Sequence, residues 1–310
     1  MVAKEERISF KNGPNRLVGI LRSPESGSVS VKLPALIMVT PGSSVKEQIG
    51  SNYARAMVEH GFVTLTFDPC HQGESEGFPR DLENPAVRIE DVVCAVDYLS
   101  TVSTVDEEKI GLIGICAGGG YAVGAAKIDH RVKALGAVVP VNIGRAFRQA
   151  QSNPGAMLAT LEAVGKQRNV EMQGGEQVRV PWIPGSVEEA EKQGVDIDTM
   201  DAVKYYRTPQ GQHPKSTGKL LMTSNAFLLG FDAFNLVEEL LTQPVQVIVG
   251  GRLGLTFSYA DGKTLWEKCQ KKEEFVVIKD AGHYELYDKR EYVDQAIEYL
   301  VAFFKKHLSE

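Results

Sequence analysis

Short apolar runs alternate with helical patterns along most of the chain. Ile8 marks a first strand and Leu17 to Leu21 a second. Ala35 to Thr40 (ALIMVT) is apolar without alternation, as a strand buried on both faces requires, and it ends in the loop Pro41-Gly42-Ser43-Ser44. A helical pattern follows through Tyr53, Met57 and Val58 and stops at His60-Gly61, where glycine suits a left-handed helix end. Phe62 to Asp68, Ile110 to Ile115 and Val132 to Val141 are further strands. Pro85 to Leu99 is a helix, and another begins at Ala117.

The rhythm breaks between Gly144 and Phe231. This stretch is long and polar, with Pro181, Pro184, Pro209 and Pro214 along it. It is too long for a structureless loop in a compact domain, so a helical cap is expected. The rhythm resumes with a helix from Asp232 to Leu241 and the strand Val245 to Gly251. A helix from Lys263 to Cys269, the strand Phe275 to Lys279 and a helix from Val293 to His307 complete the pattern. Strands alternating with helices predict an α/β fold, with a mostly parallel twisted sheet flanked by helices. The expected organisation is a core made of residues 1–143 and 232–310. The cap, residues 144–231, enters after the sixth sheet strand, at the carboxyl edge where such sheets bind ligands.

Composition narrows the function. The 310 residues are 43% hydrophobic and 24% charged, with a net charge of −6. That balance disfavours nucleic acid as a partner, because little would neutralise a phosphate backbone. It leaves room for a docking patch. Cys70, Cys94, Cys116 and Cys269 are scattered, without metal-ligand spacing, and are expected to be free thiols in a reducing compartment. The first ten residues, MVAKEERISF, lack a signal-type apolar core, and no apolar run reaches membrane-spanning length. A cytoplasmic protein without a membrane partner is expected. A homodimer is the oligomer that frequency favours. Nothing in the sequence calls for a metal or another cofactor.

The chemistry centres on Gly114-Ile115-Cys116-Ala117-Gly118. It lies between a predicted strand and a predicted helix and fits G-x-nucleophile-x-G, the nucleophile elbow of α/β-hydrolase folds, with cysteine in place of serine. The glycines let helix and strand approach while the strained turn lifts the sulfur above the sheet. The helix N-terminus there is expected to favour thiolate. The backbone N–H of Ala117 points where an oxyanion would form, and the amide of Ser43 or Ser44 is the second expected donor.

The base must follow the last strand, and Lys279-Asp280-Ala281-Gly282-His283 places His283 there. His71 and His213 are the other histidines able to face a pocket. The acid departs from the usual pattern. Gly251-Arg252-Leu253-Gly254, after the strand VQVIVGG, holds no carboxylate. Asp232 and, alternatively, Asp261 remain, each equally readable as a helix cap. A Cys–His dyad without a carboxylate is the third option. Aromatic residues in and beside the cap, including Tyr205, Tyr206 and Phe231, suggest an apolar acyl pocket, and Arg145 after a strand end suits a carboxylate or phosphate. The loop Asp68 to Ser75 reads as a brace for the site.

GSSVKEQ (42–48), FDPCHQGES (67–75), GICAGGGYA (114–122), NIGRAFR (142–148), YYRTPQGQHP (205–214) and FDAF (231–234) together resemble the cysteine α/β-hydrolases related to dienelactone hydrolases. The similarity is closest to the branch that includes fungal polyketide transferases, and it spans nearly the whole chain. It implies capture of an acyl chain on Cys116 from an acyl thioester, carried on the carrier domain of a polyketide synthase. The chain would then pass to an alcohol, a carbon nucleophile or water. Two other readings compete with this acyltransferase. One is a dienelactone-hydrolase-like or thioesterase hydrolase, and the other a non-catalytic binding protein on the same scaffold.

Overall fold

The structure is a computed structural model that describes residues 3–25 and 32–308. Its first half contains β1 (Ala3–Asn12), β2 (Asn15–Pro24), β3 (Leu33–Val39), α1 (Ile49–Glu59), β4 (Val63–Phe67), α2 (Pro85–Ser100), β5 (Val105–Ile115), α3 (Ala117–Ile128) and β6 (Val132–Val138). Between β6 and the next strand of the large sheet come α4 (Ile143–Gln149), α5 (Pro154–Met172), β7 (Arg179–Pro181), α6 (Val187–Gln193), α7 (Ile197–Arg207), β8 (Lys219–Leu221), α8 (Ser224–Leu229) and α9 (Val237–Leu240). The chain then runs through β9 (Pro244–Gly250), α10 (Ser258–Lys268), β10 (Lys271–Ile278), α11 (Glu285–Asp288) and α12 (Arg290–Leu308).

Eight strands form one sheet in the order β1-β2-β4-β3-β5-β6-β9-β10. The β1–β2 and β2–β4 pairs are antiparallel, and every later pair is parallel. The two faces bury separate apolar layers, and the strands alternate between them. In β3, Ala35, Ile37 and Val39 join the layer under α2 and α3, while Leu36 and Met38 join the layer under α1 and α12. This two-sided burial is why β3 reads as an unbroken apolar run. β7 and β8 form a separate antiparallel ribbon within the segment between β6 and β9.

The helix expected from Asp232 to Leu241 is reduced to the single turn of α9. Asn142 reaches across to this stretch. Its Nδ2 donates to Asp232 Oδ1 at 2.7 Å, and its Oδ1 accepts from the Ala233 N–H at 3.2 Å. Asp232 Oδ1 also accepts from the Phe234 N–H at 2.9 Å, and Leu236 is left-handed at φ 58°. These side-chain bonds replace the helical ladder. The strand expected to reach Val141 stops at Val138, because Val139 turns to φ 41° ahead of Pro140.

Among the described residues no helix is long and apolar enough to cross a membrane, and no cluster of three or more His, Cys, Asp or Glu could hold a metal ion. All four cysteines are free.

Candidate functional site

β5 ends at Ile115 and α3 begins at Ala117, so Cys116 alone makes the turn, at φ 56° and ψ −127°. That conformation is costly for a residue with a side chain, by about 1–3 kcal/mol. The surroundings hold it in place. The Cys116 N–H donates to Val138 O at 3.1 Å, and its carbonyl accepts from the N–H groups of Gly119 and Val141, both at 2.9 Å. A Cβ on Gly118 would strike the carbonyl of Val39, so only glycine lets α3 pack this close to β3.

The sulfur opens on an apolar cavity of about 160 Å³. The core contributes Pro41, Ser43 and Tyr287 to its walls, and the segment between β6 and β9 contributes Val141, Trp182 and Tyr206. Trp182 lies over Gly42, where a Cβ would collide with its indole. The same segment, here called the cap, also ties down the loop after β3, since Ser216 Oγ donates to Ser43 O at 2.8 Å.

His283 follows β10 and is 2% exposed. Its Nε2 lies 3.3 Å from the hydroxyl of Tyr287, one helical turn further on. The same hydroxyl hydrogen-bonds the Cys116 sulfur, so Tyr287 stands between thiol and imidazole. The Nδ1 of His283 is buried and has no hydrogen-bond partner among the described residues. Burial in the apolar pocket pushes the imidazole down to about 4, while the charge of Asp198 pulls in the opposite direction. Burial likewise pushes the Cys116 thiol up to about 11, against the Tyr287 hydroxyl and the Ala117 N–H, which favour thiolate. The helix N-terminus was expected to make a standing thiolate. Desolvation outweighs it, and the resting pair at neutral pH is a thiol beside a neutral imidazole.

The Ala117 N–H bonds the sulfur. Ser43 sits at φ 61° and lines the cavity. Ser44 is turned away from the cavity: its N–H is directed at Pro41 O (3.3 Å), and its buried hydroxyl donates to Gln48 Oε1 (3.2 Å). The loop is braced from below. Asp68 accepts from the Lys46 N–H at 2.8 Å and from Lys46 Nζ at 2.9 Å, and Arg88 donates to Thr40 O at 2.6 Å.

Neither expected acid is hydrogen-bonded to His283. Asp232 is bonded to Asn142 and Phe234 and faces a separate surface cavity. Asp261 is held by Arg145 in a two-pronged ion pair, Nε to Oδ1 and Nη2 to Oδ2, both 2.5 Å, and also accepts from the Asn142 N–H at 2.8 Å. This pair takes Arg145 away from the acyl cavity, where a substrate contact was expected. Tyr205 and Phe231, also expected at the substrate, do not line the cavity. Tyr205 is buried in the core against Tyr287, with ring centroids 5.2 Å apart, and Phe231 packs near Tyr121 at 6.2 Å. Tyr206 does line the cavity, and its ring packs edge-on against Tyr287 with centroids 6.4 Å apart. His71 and His213 lie away from the cavity.

Three contributors escaped the sequence reading. Tyr287 had a local signal, because it lies only four residues after His283, in the turn and short helix that follow β10. Thr256, another cavity residue, had none. Nor had Asp198, a cap residue only 3% exposed, whose Oδ2 accepts from the Thr256 N–H at 2.9 Å and from its hydroxyl at 2.7 Å.

The profile of the X-Pro dipeptidyl-peptidase (S15) family matches residues 16–194. The uncharacterized protein YcjY of Escherichia coli (strain K12) is 35% identical over 309 residues, covering 97% of this chain and 99% of its own. The thiohydrolase aneE of Aspergillus aculeatus is 36% identical over 153 residues, 48% of either chain. The polyketide transferase grgF of a Penicillium species is 26% identical over 265 residues, 81% of either chain. Among solved structures, the hypothetical protein PA2218 from Pseudomonas aeruginosa superposes with a TM-score of 0.89 at 30% identity, covering 99% of this chain and 94% of its own. The α/β-hydrolase GrgF superposes with a TM-score of 0.80 at 22% identity over the full length of both chains.

Proposed function

Since the chain belongs to the X-Pro dipeptidyl-peptidase (S15) family of α/β-hydrolase-fold proteins, and is an acyl-handling enzyme of that fold, we propose that it carries acyl groups on Cys116. The acyl group comes from a thioester, such as a polyketide chain on a carrier domain, and leaves to an alcohol or carbon nucleophile. One observation carries this reading. Cys116 sits on a strained elbow at the floor of an apolar cavity, with the Tyr287 hydroxyl joining its sulfur to His283 Nε2. The names of relatives, a polyketide transferase and a thiohydrolase, support an acyl substrate of this kind.

The steps follow from the resting pair. A thioester places its carbonyl over the sulfur and its acyl chain against Trp182 and Val141. The Cys116 thiol gives its proton to His283 Nε2, through or past Tyr287, as sulfur attacks the carbonyl carbon. The oxyanion is held by the N–H groups of Ala117 and Ser43. Collapse expels the carrier thiolate, which takes the proton from the imidazolium and leaves Cys116 acylated. The acceptor then gives its proton to His283 as it attacks the new thioester. Cys116 leaves as thiolate and recovers the proton.

Thioester-to-thioester exchange is close to thermoneutral, so a sulfur nucleophile keeps the acyl group activated for the acceptor. The apolar lining protects that intermediate from water. The four free cysteines suit a reducing setting, and a cytoplasmic location is part of this reading. Intact-mass measurement after incubation with short acyl thioesters tests the reading. The expected result is one acyl adduct that is lost in Cys116→Ala, and an adduct that survives in that variant overturns it. Product analysis with and without alcohol acceptors separates transfer from simple hydrolysis.

A further inference from the structure

We infer that Asp198, carried on the cap helix α7, is the positioning carboxylate of His283, in place of an acid on the loop after β9. This rests on the proposed roles of Cys116 and His283. A base whose Nε2 faces the nucleophile becomes an imidazolium during acylation, and its Nδ1–H then needs an acceptor. In this structure Nδ1 is buried and unpartnered among the described residues, and the two acids adjacent to the core strands are committed elsewhere.

Asp198 stands where the missing acid belongs. Its Oδ2 bonds to the main chain and hydroxyl of Thr256, on the loop that follows β9. Both bonds fall on Oδ2, which leaves Oδ1 for another donor. The loop makes room for it, because a Cβ added at Gly254 would run into the Asp198 carboxylate. Gly254 is thus empty in the volume that an acidic side chain on this loop would enter, and a carboxylate from the cap occupies it.

The alternative role for an aspartate at a helix start is capping, and Asp196 already fills it. Asp196 Oδ1 accepts from the N–H groups of Asp198 at 2.9 Å and Thr199 at 3.2 Å. Asp198 is the second residue of α7, free of that duty and buried. Its charge also acts on His283, favouring the imidazolium against burial. The other charged or titratable groups within its field are Arg252 on the β9 loop, Tyr284 and Cys116, with Asp196 and Asp201 on its own helix. Arg252 is engaged by Asp201 at 2.7 Å and Glu285 at 3.2 Å, so it does not neutralise Asp198 by direct contact. Asp198 acts through His283. The Nδ1–H···Oδ1 bond forms as the imidazolium forms, and only while the cap is seated.

The test compares wild type with Asp198→Asn, which keeps an oxygen acceptor for Thr256 and removes the charge. Acylation of Cys116 by a short acyl thioester is expected to slow about 100-fold. The His283 titration, followed by imidazole NMR, is expected to move to lower pH. Alkylation of the same thiol at high pH, which needs no base, is expected to stay within about twofold of wild type. The relocated variant Asp198→Ala with Gly254→Asp restores acylation to within about tenfold of wild type. An Asp198→Asn enzyme with unchanged acylation and an unchanged His283 titration overturns the inference. If Asp198→Asn does not fold, wild type bound to an aldehyde analogue decides: a far-downfield Nδ1 proton on His283 supports the inference, and its absence overturns it. A wild-type enzyme that forms no acyl adduct overturns the Cys116 reading itself. A wild-type adduct with an unimpaired Asp198→Asn variant overturns Asp198 alone.

Discussion

The hydroxyl of Tyr287 lies 3.3 Å from Nε2 of His283 and hydrogen-bonds the sulfur of Cys116 as well. The proposed nucleophile and base are therefore joined through a third side chain. Tyr287→Phe keeps the ring, which packs against Tyr205 and Tyr284, and deletes only the bridge. Thioester acylation of Cys116 should slow by about tenfold or more, since a positioned proton-transfer group contributes about 10²–10⁴-fold. The thiol should also titrate higher, because the tyrosine bond favours thiolate. Stopped-flow acylation and a thiol titration followed by absorbance check both.

His283 makes stability depend on pH in a predictable direction. Its folded pKa is depressed to about 4 from an ordinary 6.5, so the unfolded chain binds this proton first. Its contribution is fully present above pH 6.5 and is lost as pH falls towards 4. Urea unfolding across that window should show wild type losing more stability than His283→Gln. The difference between the two curves isolates this residue from the carboxylates.

Cys116 should behave as a quiet thiol towards reagents that need thiolate. With its pKa near 11, alkylation by iodoacetamide should be slow at pH 7 and rise about tenfold per pH unit up to pH 9.5. Site-resolved mass spectrometry separates it from Cys94, whose thiol is also pushed up to about 11 by burial. A flat profile from pH 7 upwards would mean a standing thiolate and would remove the neutral resting pair.

Lys46 is almost fully buried beneath the loop of Ser43 and meets Asp68 at 2.9 Å and both Glu47 and Glu74 at 2.7 Å. Burial already pushes the Asp68 carboxyl up while Lys46 pulls it down. Lys46→Met removes the counter-charge and should cost about 3–5 kcal/mol, measured by urea denaturation. Acylation should fall with it, since the loop that carries Ser43 loses its anchor.

Much of this molecule is legible from local pattern. The sheet follows from apolar runs such as Ala35 to Val39, which must be buried on both faces. The elbow follows from glycines at Gly114 and Gly118, where helix and strand touch. His283 follows from its place after the last strand. What local pattern cannot supply is pairing across the chain. Arg145 and Asp261 are 116 positions apart, and nothing near either one signals that they neutralise each other. Tyr205 and Tyr206 are neighbours in sequence, yet one is core and the other lines the cavity, because adjacent residues on a helix diverge by about 100°. Asn142 turned an expected helix at Asp232 into a hydrogen-bonded turn from 90 residues away.

The contact of Asp198 with the space above Gly254 reaches beyond this one chain. The two positions lie on separate segments, Asp198 between β6 and β9 and Gly254 on the loop after β9. A relative that trimmed the first segment would lose a buried carboxylate and would have to regain one on the β9 loop. The pair should therefore covary: glycine at 254 where the first segment carries aspartate, and a side chain there where it does not. A search for catalytic acids confined to that loop would score such a chain as broken.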